Sequence, residues 1–69
     1  MSRFSLRFIE LKASKRLSFQ TLASDTGISL RALKYYASGT REPSISTLTA
    51  LADYFNVSID YLVGRSDNK

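Results

Sequence analysis

An all-α fold of five short helices is what this sequence predicts, and three observations lead there. Apolar residues recur at three- and four-residue spacing, no segment alternates with period two, and serine, glycine and proline divide the chain into short pieces. Phe4, Phe8 and Leu11 give a first helix its apolar stripe, and Leu17 closes that unit. Ser18 is an N-cap for a second helix carrying Phe19, Leu22 and Ala23, and Gly27 can take the positive φ that a tight turn requires. Ser29 caps a third helix over residues 29 to about 37, which ends at Ser38-Gly39. Residues 40–43 form a loop, because Pro43 disfavours a helical Glu42 and has no N–H to donate. Ser44 or Ser46 then opens a fourth helix, whose stripe of Ile45, Leu48, Leu51, Ala52 and Phe55 is the strongest in the chain. Asn56, Val57 and Ser58 turn into a short fifth helix, residues 59 to about 63, which Gly64 stops.

Sixty-nine residues make one small domain, near the size at which a single core becomes marginal. Residues 1–66 are expected to form it, leaving 67–69 as a tail or the start of a linker. The chain has no cysteine and no histidine. Disulfides, thiolate zinc sites, cysteine nucleophiles and imidazole base chemistry are therefore excluded, and stability must come from a hydrophobic core. The six acidic residues are scattered, with no pair spaced for general acid and base work. Nothing suggests an enzyme, a metal or a cofactor. No apolar run approaches the roughly 20 residues that span a bilayer and no signal-like segment is present, so the expected location is cytoplasmic, with no membrane partner. The net charge of +4 is unevenly placed: residues 1–42 carry eight basic and three acidic side chains, residues 43–69 two and three. Such a basic front half suits a polyanion, although a solvated basic surface would look the same.

Residues 19–38 also meet the steric demands of two helices joined by a tight turn and crossing closely. Ala23 falls where a large side chain would hold the helices apart, Gly27 in the turn, and Leu22, Ile28, Leu33 and Tyr36 where side chains must enter the core. The outer face of the third helix is left with Ser29, Leu30, Arg31, Lys34, Tyr35 and Ser38.

The stretches "RFIELKASKRLS", "LSFQTLASDTGIS", "SGTREPS" and "LTALADYFNVSIDYLVGRS" together resemble the Cro and lambda-repressor type of helix-turn-helix domain, the XRE family, over roughly residues 7–66. That resemblance implies a five-helix DNA-binding domain of a prokaryotic or phage transcriptional regulator, repressor-like, acting as a dimer on two-fold operator DNA. Two departures from the family pattern stand out. Where the family commonly has a glutamine that caps the second helix against a DNA phosphate, this chain has Phe19, with Gln20 one place later. The family also tends to pair an arginine at the position of Lys12 with a glutamate at the position of Ala37. Losing one partner alone would strand a poorly solvated charge at a cost of about 3–5 kcal/mol, whereas a lysine without that acid is expected to extend into water.

On this reading the third helix enters the major groove. Arg31 could hold guanine O6 and N7, Leu30 a thymine methyl, and Ser29 a base or a phosphate, while Lys34 and Tyr35 reach a base or the backbone. Gln20, Ser38, Thr40 with its neighbouring amides, and Arg41 would grip phosphate. Plainer roles are open too: Ser29 caps its helix regardless of DNA, Leu30 could be a tolerated surface leucine, Arg31 and Lys34 solvated charges, and Tyr35 a cover for apolar surface. Leu30 and Tyr35 would equally suit a protein interface, so a rival expectation is a small protein of this fold that binds another repressor or a toxin-like partner. The sequence ends in "GRSDNK" just after the fifth helix. Both a whole small regulator and a trimmed domain fit that ending. If it is whole, a weak homodimer is expected through Val57, Ile59, Tyr61 and Val63, or those residues are core instead.

Overall fold

The computed structural model describes residues 3–69. Five helices follow one another in it: α1 (Arg3–Ser14), α2 (Phe19–Thr26), α3 (Leu30–Ser38), α4 (Ile45–Phe55) and α5 (Ile59–Leu62), with no strand among the described residues. Helices α2 to α5 each begin on a serine. Ser18, Ser29, Ser44 and Ser58 have extended backbones, and each side-chain oxygen accepts from the N–H three residues on, at 3.0, 3.1, 3.3 and 3.0 Å. Such a cap satisfies an amide that the helix itself cannot pair, and is worth about 1 kcal/mol. Ser44, not Ser46, caps α4.

Helices α1 and α2 both lie against α3, α4 packs on α2 and α5, and α5 closes back on α1. The core between them is strongly aromatic. Phe4 and Phe8, one turn apart on α1, stack at 5.7 Å; Phe4 meets Tyr36 of α3 edge-on at 5.9 Å, and Phe8 meets Phe55 of α4 at 6.3 Å. Leu22, Leu33, Leu51 and Leu62 fill the remaining volume and are fully buried. One polar side chain joins them. Ser5 is buried and its hydroxyl donates to the Tyr36 carbonyl at 2.7 Å, tying α1 to α3.

The turn between α2 and α3 is built as its residues predict. Gly27 sits at φ +76°, where an L side chain is strained, and its N–H closes on the Ala23 carbonyl at 2.9 Å. Thr26 adds a brace, its hydroxyl donating to Leu22 O at 2.6 Å and accepting from Ile28 N at 3.2 Å. A second brace joins α2 to α4: the Tyr54 hydroxyl donates to the Asp25 carboxylate at 2.7 Å, a bond that raises the phenol's pKa above its ordinary value.

Two features depart from the expectations above. Ile45 is 79% exposed, although periodicity put it on the buried stripe of α4. It is the first residue of that helix, level with the cap and outside the core, so the buried stripe starts at Leu48. Arg16 takes a left-handed φ of 54° at the end of α1, a position usually given to glycine.

Candidate nucleic-acid interface

Helix α3 is held from behind by Leu33 and Tyr36, both buried, so its register in the fold is fixed and its opposite face is left to solvent. Ser29, Arg31, Lys34 and Ser38 are exposed on that side, with Leu30 and Tyr35 half-buried between them. Leu30, Arg31, Lys34 and Tyr35 together line one shallow depression of about 290 Å³. A neighbouring depression of about 210 Å³ is lined by Ser18, Phe19 and Gln20 from the start of α2, and again by Leu30 and Lys34. The two share walls, so the first turn of α2 and the outer face of α3 make a continuous surface.

The loop after α3 completes it. Arg41 places its guanidinium 4.9 Å from the centre of the Tyr35 ring, a cation–π distance that sets the Arg41 charge beside a wall of the depression. Ser38 Oγ donates to Tyr35 O at 3.0 Å and lies 2.7 Å from the Thr40 hydroxyl. The backbone amides of Gly39 and Thr40 point inward: they bond to Tyr36 O at 3.2 Å and Tyr35 O at 3.0 Å, capping the helix. Those amides are thus already engaged within the protein.

The ion pair found among the described residues, Arg7 with Asp67 at 2.6 Å, is far along the chain from this surface. Arg31, Lys34 and Arg41 enter no such pair, which leaves three cations on one face. Among the described residues no group of side chains could hold a metal ion, and no helix is long and apolar enough to cross a membrane.

Nine of the sequence-predicted residues therefore come together: Gln20, Ser29, Leu30, Arg31, Lys34, Tyr35, Ser38, Thr40 and Arg41. The other four lie elsewhere, on the α4–α5 turn, on α5 and at its C-cap, Val63. Tyr61 is buried, with the Arg7 guanidinium 4.1 Å and the Lys69 ammonium 5.8 Å from its ring centre; Val57 and Val63 are half-buried, and Ile59 is 38% exposed.

Phe19 is the residue that motif matching undervalued. Its ring lines the second depression, and the Lys12 ammonium sits 4.4 Å from its centre. Lys12 is half-buried there and does not extend into water as expected. The ring face attracts the cation, so two of the positions that depart from the family pattern, Lys12 and Phe19, are in contact with each other.

A helix-turn-helix family model matches residues 10–62, most of the chain and all of the surface just described. The chain belongs to the XRE-type helix-turn-helix family. Among its helix-turn-helix relatives, the HTH-type transcriptional regulator AnsR of Bacillus subtilis is 40% identical over 63 residues, covering 91% of this chain and 54% of AnsR. The uncharacterized regulator YqaE of the same organism is 36% identical over 67 residues, 96% of this chain and 58% of YqaE. The crystal structure of a transcriptional regulator from Listeria innocua superposes with a TM-score of 0.84 at 36% identity, over 93% of this chain and 60% of that one. The chain thus spans a little over half the length of the relatives it matches. Both Bacillus subtilis relatives are named HTH-type transcriptional regulators.

Proposed function

We propose that this helix-turn-helix protein binds double-stranded operator DNA sequence-specifically, as a repressor-like regulator of prokaryotic or phage transcription in the cytoplasm, with α3 in the major groove. The observation that carries the proposal is the outer face of α3, where Arg31 and Lys34 flank Leu30 and Tyr35 in one depression and Arg41 stands at its edge. Arg31, in the first turn of the helix, reaches base edges most easily and suits guanine; Leu30 beside it suits a thymine methyl. Lys34 and Tyr35, one turn on, serve base or backbone. Gln20 and Arg41 hold donors for phosphate around the helix and set its register without reading sequence, Ser29 serves a base or a phosphate, and the Ser38 and Thr40 hydroxyls reach phosphate by exchanging their bonds to Tyr35 O and to each other.

Two copies on a two-fold site would meet through α5 and the turn before it. Ile59 is the side chain offered there, with the edges of Val57 and Val63, while Tyr61 stays in the core. A four-residue helix supplies much less than the roughly 800 Å² per partner of a standard interface, so the homodimer is weak without DNA.

One observation favours a second reading: the depression on α3 has an aliphatic, an aromatic and an arginine side chain in its wall, residue types that suit a protein–protein interface, so that another repressor or a toxin-like protein would be the partner. Anisotropy of a labelled duplex from beside the protein's own coding region, set against a scrambled duplex, separates the two. Preference for the native duplex, lost in Arg31→Ala at a cost of about 1–3 kcal/mol, supports operator reading. Equal and weak binding to both duplexes turns the reading to a protein partner.

A further inference from the structure

We infer that Lys12, held on the ring of Phe19 at the start of α2, is a phosphate-gripping cation of this domain. The inference rests on the DNA-binding reading and deepens it. Four observations carry it. The Lys12 ammonium lies 4.4 Å from the Phe19 ring centre. Phe19 itself lines the depression shared by Ser18, Gln20, Leu30 and Lys34, which places the cation beside the surface that faces the duplex. Lys12 enters no ion pair among the described residues, so its charge is not neutralised within the protein. Finally, Lys12 is half-buried, so its long side chain is already restrained before any ligand arrives.

These facts fit together chemically. A ring face satisfies an ammonium on one side only, and the group carries three N–H donors, so donors remain for a phosphate oxygen. Restraint by the ring removes much of the ordering cost that a free lysine would meet on binding. Phe19 is then a positioning residue: it touches the cation, and the cation touches the nucleic acid. A cationic contact also has a signature that a neutral side chain lacks. A neutral amide displaces no counterion from DNA, whereas a lysine on a phosphate does, and the salt dependence of binding counts such contacts.

The test is anisotropy of a short labelled duplex between 50 and 200 mM KCl, with wild type, Lys12→Met, Lys12→Arg, Phe19→Leu and the double variant Lys12→Met/Phe19→Leu. Thermal unfolding of each variant is followed alongside, and methionine keeps the packed stem of Lys12. Removing one phosphate contact should reduce the log–log salt slope by about 0.9 per bound protomer, so the wild-type advantage over Lys12→Met narrows by about 3.5-fold across this fourfold range of salt. Lys12→Arg should keep the wild-type slope. Phe19→Leu should weaken binding in the presence of Lys12 and add nothing in its absence. A wild-type slope in Lys12→Met overturns the inference and leaves the DNA-binding reading standing. Failure of the wild type to bind any duplex overturns both.

Discussion

The Ser5 hydroxyl donates to the Tyr36 carbonyl at 2.7 Å, a buried bond between residues 31 apart in sequence. It fixes the back of α3 to α1 at the residue next to Tyr35, which faces the other way. The aromatic contact between Phe4 and Tyr36 grips the same place. The position of the outer face of α3 is therefore set by a polar and an aromatic tie acting together.

Ser5→Ala should destabilise the domain by about 1 kcal/mol, since the Tyr36 carbonyl keeps a second donor in Gly39 N–H. For a domain of this size that is a fall in Tm of about 4–8 °C, measurable by circular dichroism. An unchanged Tm would mean that the tie contributes nothing to α3.

Gly64 lies at φ +83°, and a Cβ built on it would stand 2.5 Å from Arg3 Cβ and 2.6 Å from Arg3 Cδ. Arg3 in turn donates from Nη1 to Gly64 O at 3.0 Å, so the clash and the loss of this bond come together. Gly64→Ala should cost about 1–3 kcal/mol, read from urea unfolding. A midpoint equal to that of the wild type would contradict the packing of α1 on the turn after α5.

Arg16 stands in the opposite situation, a bulky residue in a left-handed conformation with φ 54°. Replacing it with glycine relieves that strain, and Arg16→Gly should raise stability by up to about 1 kcal/mol. Denaturant unfolding decides this by the sign of the change.

The Tyr54–Asp25 bond gives the fold a pH dependence of known sign. Its hydrogen bond raises the phenol's pKa in the folded state, so the stabilisation is complete below the ordinary tyrosine pKa of about 10 and is lost as pH rises through the folded value. Tyr54→Phe should lower Tm by a few degrees at neutral pH, and the gap to wild type should close in strongly alkaline buffer. A gap that stays constant with pH would assign the effect to packing.

Much of this was legible in the sequence because local chemistry decides it. The serine caps, Gly27 and the spacing of Leu22, Ala23, Leu33 and Tyr36 each answer a demand made within a few residues. The outer face of α3 follows from them by elimination. Other features depend on partners distant in sequence and left no pattern to read. Ser5 looks like any helical serine until Tyr36 is placed above it. Lys12 looks solvated until Phe19 folds beneath it. Ile45 fits the period of α4, but periodicity cannot tell that a first turn overhangs the core.

The central claim is that α3 presents its outer face to duplex DNA, and chemical-shift mapping on isotope-labelled protein tests it most directly. Titration with the preferred duplex should move the amides of Ser29, Leu30, Arg31, Lys34, Tyr35 and Arg41, together with Gln20 at the start of α2. Large shifts at Leu6 and Ile9 on the outside of α1, with α3 unmoved, would contradict it.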